Sequence, residues 1–366
     1  MISDTETSRT AEDNDRLNAT VQMGIRHGRE EGLAMFCCMP LGELMTLGYR
    51  ARQHRHPGNR VTYVVDTNPN YTNICTTRCA FCAFFRKPWD PDAYLLSPAQ
   101  VAKKVQTAVE LGATTVLLQG GHHPDVYLDD WIAYIRAIRS ACPSVHIHPF
   151  SPAEYVYMAT QEGTHVHAIL ESIYNEGIRT IPGGGAEILS ERVRGIVAPG
   201  KASSEEWLET CEIAHNIGFK TTATMMYGHV ESPEEVVDHL LRLRELQDRT
   251  GGFTSFIPWS FKSGGSTLGR RLNRESHPAH YIRMVALARL LLDNFPHIQS
   301  SWFSESIAAG QLGLMAGADD FGGVLIEENV LRDAGHDRAD TTSNVKTIIR
   351  RAGFEPVQRD SLYRPL

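Results

Sequence analysis

Cys75, Cys79 and Cys82 form a C-x₃-C-x₂-C pattern within the run Asn68-Pro-Asn-Tyr-Thr-Asn-Ile-Cys75-Thr-Thr-Arg-Cys79-Ala-Phe-Cys82-Ala-Phe-Phe-Arg86. Cysteine thiolates hold iron–sulfur clusters, and a cubane normally takes four of them. Three closely spaced thiolates can anchor three irons and leave the fourth open, as a catalytic zinc keeps a position free where a structural zinc does not. An open iron can chelate the amino and carboxylate groups of S-adenosylmethionine (SAM). An electron passed into the sulfonium then breaks a carbon–sulfur bond and releases a 5′-deoxyadenosyl radical. In such a site the cofactor carries the radical chemistry, while the protein positions it and excludes competing reactions. Other readings fit the same spacing. A structural zinc could draw its fourth ligand from Cys37, Cys38 or one of the sixteen histidines. A four-cysteine electron-transfer cluster or three chance core cysteines also fit. Phe81 can pack beside an adenine or simply fill core space.

Further polar groups recur where strand-like runs end. Gln119-Gly120-Gly121 would let backbone amides approach a carboxylate such as that of SAM, or make a tight turn. His122 and His123 follow, and His146 and His148 alternate so that both point to one face of a strand. Pro182-Gly183-Gly184-Gly185-Ala186-Glu187 offers a close backbone approach, with Glu187 able to accept from a ribose diol or to cap a helix. Tyr227, His229 and Glu231 bring a hydroxyl, an imidazole and a carboxylate within five residues. They make an acid–base group, or Glu231 caps the next helix. Trp259 would wall an aromatic substrate or pack in the core.

These groups need a scaffold that gathers strand ends. Short apolar runs supply seven strand candidates: Val61–Asp66, Thr115–Leu118, Val145–His148, Ile178–Ile181, Thr221–Met226, Phe253–Phe261 and Ile298–Trp302. An eighth is expected near Gly323–Ile326. Helix-patterned stretches separate them. Three open on an N-cap serine followed by proline and, at the third helical position, a capping-box acceptor: Ser97 with Gln100, Ser151 with Glu154 and Ser232 with Glu235. The alternation predicts an α/β fold, a (β/α)₈ TIM-type barrel, whose catalytic groups come from strand C-termini. The expected organisation is a flexible tail over 1–15, a helical extension over 16–56, the barrel over 57–330 and a C-terminal extension over 331–366.

The totals narrow the class. The chain has 366 residues and a net charge of −7, which argues against a nucleic-acid surface, since neutralising phosphates needs clustered Lys and Arg. No apolar run is long enough to span a bilayer, and no secretion signal is visible, so a cytoplasmic protein without membrane partners is expected. Seven cysteines, an odd number, argue against a disulfide framework; Cys142 and Cys211 fall in apolar helical patterns and read as core.

Over most of its length the sequence resembles the radical SAM enzymes of futalosine-dependent menaquinone biosynthesis and their relatives in deazaflavin (F0) synthesis. The likeness runs from about Pro57 to Arg364. Its blocks are Asn70-Tyr-Thr-Asn-Ile-Cys75, Gly183-Gly-Gly-Ala-Glu-Ile188, Thr221-Thr-Ala-Thr-Met-Met-Tyr-Gly-His-Val-Glu231, Leu243-Arg-Glu-Leu-Gln-Asp-Arg-Thr-Gly-Gly-Phe253 and Ile326-Glu-Glu-Asn-Val330. Deazaflavin-type relatives usually read Gly-Thr-Ala-Ala-Glu where this chain has Gly183-Gly-Gly-Ala-Glu187. Phe256-Ile-Pro-Trp259 is similar to the cyclic dehypoxanthinyl futalosine synthases rather than to aminofutalosine synthases. Two blocks depart from the usual pattern, Gly120-Gly-His122-His-Pro124 and His148-Pro149-Phe-Ser-Pro152. The resemblance implies a radical SAM barrel with a [4Fe–4S] cluster on Cys75, Cys79 and Cys82. It implies SAM as cofactor, dehypoxanthinyl futalosine as small-molecule substrate, and an external reductant such as flavodoxin or ferredoxin. The implied reaction abstracts hydrogen from the ribose, adds the carbon radical to the benzoate ring and ends with loss of an electron and a proton. On this basis Phe81, Gln119, Gly120, Gly121, Glu187 and Arg194 are expected at the cofactor. His123, His148, Trp259 and Lys201 are expected at the substrate, with His229 or Glu231 as the base and Tyr227 beside them.

Overall fold

Strand alternation decides which residues face inward. In β1 (Arg60–Asn68), Val61, Tyr63 and Val65 are buried among the surrounding helices, whereas Val64, Asp66 and Asn68 line an interior cavity. The structure is a computed structural model that describes residues 26–336 and 341–366. The expected tail over 1–15 lies outside these residues, as does 16–25 of the expected helical stretch.

Eight parallel strands appear at the eight expected places. After β1 come β2 (Thr115–Leu118), β3 (His146–Pro149), β4 (Thr180–Ile181), β5 (Lys220–Tyr227), β6 (Phe253–Ser260), β7 (His297–Ile298) and β8 (Asp320–Glu328). They form two arcs, β3-β2-β1-β8 and β4-β5-β6-β7. The arcs meet where His146 and His148 both reach Thr180 Oγ1, each at 2.7 Å, and where Gln299 bridges to Asp320. Helices cross over outside each strand, giving a (β/α)₈ barrel. The seventh strand is shorter than expected. After Ile298 the chain turns through Ser300–Ser304, where Ser300 Oγ donates to Gly310 O and Tyr281 OH accepts from Ser301 N–H.

The capping-box acceptors act as their chemistry dictates at all three helices, Gln100, Glu154 and Glu235 each accepting the backbone N–H of its serine. The Ser97 and Ser232 hydroxyls accept from the N–H of Gln100 and Glu235, whose side chains accept the serine N–H in return. At the third, the Ser151 hydroxyl donates to Glu154 Oε2 and Glu154 Oε1 turns away to accept from Gly120 N–H at 3.2 Å.

The N-terminal helices Arg29–Cys37 and Leu41–Arg55 pack on the outer helix Pro278–Leu291. The C-terminal segment closes the barrel from below. A ninth strand, β9 (Glu355–Gln358), pairs with Arg60–Tyr63 of β1 on the side opposite β8, the stretch that short β2 leaves unpaired. It carries Arg359 inward, where the guanidinium grips the buried Asp320 carboxylate through Nε at 2.5 Å and Nη2 at 3.0 Å. At the same end Asp319 lies between Arg289, His297 and His56.

Candidate active site

The loop after β1 is built by backbone pairing with its neighbours. Cys75 N–H donates to Arg86 O, Arg86 N–H to Asn73 O, Thr76 N–H to His122 O and Ala80 N–H to Val197 O, at 2.7–3.1 Å. Arg86 gathers the loop end, with Nη1 donating to the carbonyls of Ala83, Phe84 and Phe85 while Nε pairs with Asp92. Gly121 has to be glycine here. A Cβ on it would lie 2.1 Å from Ile74 O and 2.9 Å from Cys75 Cβ, so any side chain would push the cysteine loop off the barrel rim.

A chamber of about 270 Å³ opens at the strand C-termini beneath this loop, with room for a ligand rather than a lone water. Cys75, Cys79 and Cys82 line it, as do Phe81, Gln119, Gly120, Gly121, Glu187, Lys201 and Trp259. Phe81 meets Trp259 edge-on, ring centroids 6.3 Å apart. Burial pushes the Cys79 thiol up to about 12 against the pull of Lys201, and raises Cys82 as well. Thiolates so placed need cationic compensation, which bound iron provides. Among the described residues, the one group of His, Cys, Asp or Glu ligand atoms that gathers within 4.8 Å is His56, His297 and Asp319 at the far end of the barrel.

Lys201 and Glu187 form an ion pair at 2.7 Å in this chamber. Burial alone would lower the Lys201 ammonium, but Glu187 and the Cys79 sulfur outweigh it and hold its pKa above the ordinary value. The Lys201 head also lies 5.7 Å from the Phe81 ring centroid. Glu187 itself takes a left-handed backbone, φ 46°.

A second chamber, about 220 Å³, fills the barrel lumen below the first. The two adjoin, sharing Asn68, Gln119, Gly184 and Thr224 in their walls. All eight strands or the turns after them line the lower one, and Arg359, Ser361 and Tyr363 form its floor. His148 faces it with Nδ1 bonded to Thr180 Oγ1, and burial holds its imidazole well below the ordinary pKa.

Five expected residues lie elsewhere. His229 is buried, with Nδ1 accepting from Val230 N–H and Nε2 bonded to Met226 O. The Glu231 carboxylate accepts from the N–H groups of Gly228 and His229, closing the turn after β5. Tyr227 is in the core against His280. None of the three borders either chamber, because the turn folds them outward. Arg194 is buried with Nη1 and Nη2 on the carbonyls of Gly185, Ala186 and Ala202, where it braces the glycine loop from behind. His123 Nδ1 accepts from Asp125 N–H outside both chambers, and its neighbour His122 lines the upper one, stacked on Tyr157 at 4.4 Å.

Three lining carboxylates, Glu154, Asp66 and Glu328, went unread as site residues in the sequence. Glu154 caps its helix through Oε2 as read, and its Oε1 also holds the Gly120 amide. Asp66 was taken as one residue of a buried strand, and its inward phase was the available signal.

Comparison with known proteins gives this geometry a lineage. Residues 69–243 match the family model described as Radical SAM superfamily, and residues 250–366 match the one described as CofH/MqnC C-terminal region. The chain belongs to the radical SAM superfamily, within the CofH/MqnC family. A Methanopyrus kandleri protein named 5-amino-6-(D-ribitylamino)uracil–L-tyrosine 4-hydroxyphenyl transferase is 38% identical over 98% of this chain and 99% of its own length. A Streptomyces coelicolor protein named cyclic dehypoxanthine futalosine synthase is 38% identical over 92% of this chain and 85% of its own. The crystal structure of methylornithine synthase (PylB) superposes with a TM-score of 0.73 at 17% identity, covering 93% of this chain and 97% of that one, a likeness of fold. As a radical SAM enzyme the chain uses a [4Fe–4S] cluster and SAM. No described helix is long and apolar enough to cross a membrane.

Proposed function

We propose that this radical SAM enzyme cyclises dehypoxanthinyl futalosine, joining the ribose carbon to the benzoate ring as a step toward menaquinone. The observation that carries the reading is Gly184, which borders both chambers. A Cβ there would approach Gln119 Nε2 to 3.0 Å and Ser151 Cβ to 3.3 Å. Deazaflavin-type relatives carry threonine in that place, so glycine keeps the passage open for one substrate that spans both spaces. The name of the Streptomyces coelicolor relative supports the same choice.

In this reading Cys75, Cys79 and Cys82 hold the cluster. Gly120, Gly121, Gln119, Phe81 and Glu187 surround SAM. When bound, the pair supplies an electron and a 5′-deoxyadenosyl radical. The remaining work belongs to the chain. Trp259 and Phe81 give an aromatic wall at the upper chamber, Lys201 a cation, and His148 a polar contact in the lumen. Enclosure counts for more than strong acids, since a carbon radical has to meet its target before solvent does.

Anaerobic turnover with dehypoxanthine futalosine, SAM and a strong reductant, read by mass spectrometry, tests the proposal. The expected product is lighter than the substrate by the hydrogens lost at ribose and ring. Formation of a tyrosine-derived adduct from 5-amino-6-(D-ribitylamino)uracil, with the futalosine untouched, would overturn it.

A further inference from the structure

The lumen chamber holds a carboxyl group that the fold leaves without a task. Asp66 points inward from near the C-terminal end of β1, 6% exposed, and its Oδ1 has no hydrogen-bond partner among the described residues. Gly323 on the neighbouring β8, paired with Val64, makes room for it: a Cβ there would stand 2.4 Å from Oδ1 and 2.8 Å from Oδ2. A buried acceptor without a partner costs stability, so a fold that clears space for one has a use for it elsewhere.

We propose that Asp66 is the base that receives the ring proton in the last step of cyclisation. This rests on the function proposed above. Addition of the ribose carbon radical to the arene leaves a ring radical with one tetrahedral carbon bearing hydrogen. The C–H bond breaks, its electron pair returns to the ring and the proton goes to Asp66. The ring's surplus electron passes to an oxidised iron–sulfur cluster, and aromaticity is restored.

The other titratable groups of the chamber are less suited. His148 is committed to Thr180 through Nδ1 and is weakly basic in its buried place. Glu328 Oε1 accepts from the N–H groups of Val330 and Leu331. Arg359 cannot accept a proton, and Tyr363, stacked between His297 and Arg359, is a phenol held above its ordinary pKa. The residues of β2 in this wall, Thr115 and Leu117, are uncharged. Burial is the largest influence on Asp66, Arg359 opposes it, and Glu328 and Asp320 add to it; together they push the carboxyl up to about 8. A base of that strength is matched to proton transfer near neutral pH.

The test follows 5′-deoxyadenosine and cyclised product separately in the anaerobic holoenzyme. Asp66→Asn should keep releasing deoxyadenosine with substrate present, while cyclised product falls about 10²–10⁴-fold. Asp66→Glu should recover part of it. Wild-type product formation should climb with pH and level off above about 8, and the residual rate of Asp66→Asn should be flat. A SAM-dependent change in the cluster's paramagnetic resonance spectrum reports that the variants are folded and loaded. Unchanged product in Asp66→Asn would overturn the assignment, as would deoxyadenosine and product falling together. A flat wild-type profile would do so even if no Asp66 variant folds. Wild-type enzyme that makes no cyclised product would sink the function itself, a different failure from product persisting without the carboxylate.

Discussion

Lys201 Nζ reaches Glu187 Oε1 at 2.7 Å, and the pair lies in the same chamber as the three cysteine sulfurs. The side chains are 15% and 4% exposed, so each charge depends on the other. Lys201→Met should cost about 3–5 kcal/mol by stranding the Glu187 carboxylate. Lys201→Met with Glu187→Gln should recover much of that loss. Urea unfolding of both cluster-free variants measures the difference, and equal losses would show that the two charges are not coupled.

Asp66 makes stability depend on pH. Its folded carboxyl titrates near 8, against about 3.9 in an unfolded chain, so between those values the native state holds the extra proton. Stability is greatest below the lower value and falls as pH climbs through the upper one. Asp66→Asn removes the charge that has to be buried. It should match wild type near pH 4 and exceed it by about 1–3 kcal/mol at pH 9. Thermal melts across this range decide the matter; an Asn variant less stable at pH 9 would contradict the burial argument.

Arg194 braces the glycine loop and borders neither chamber. Arg194→Lys keeps the charge but loses the fork that spans three carbonyls. The expected cost is about 1.5–3 kcal/mol of stability, with SAM affinity close to wild type. Equilibrium unfolding and a SAM titration separate the two effects. A large loss of affinity in a fully folded variant would place the guanidinium at the ligand after all.

What the sequence made legible was governed by local rules. Strand period and serine caps located all eight strands, and the cysteine spacing pointed to the chamber that Cys75, Cys79 and Cys82 border. Directions set by three-dimensional turns were harder to read. Tyr227, His229 and Glu231 follow a strand C-terminus, yet the turn that Glu231 closes carries them away from both cavities. Glu154 fits a capping pattern and works on Gly120, a residue brought near only by the pairing of β2 with β3. Asp66 looked like strand filling because register, not composition, decides whether a carboxylate enters the lumen.

The residues that close the lumen come from far along the chain, with Arg60 beside Glu355 and Arg359 clamped on Asp320. A barrel stoppered on its underside in this way stays closed there only while that seam holds. On the proposed reaction, the lifetime of an open-shell carbon inside is thereby tied to a zipper that never touches a reacting atom. A fused tag dragging on the stopper, or a peptide competing for the edge of β1, would let the radical leak to solvent while every chemical group of the site stayed in place.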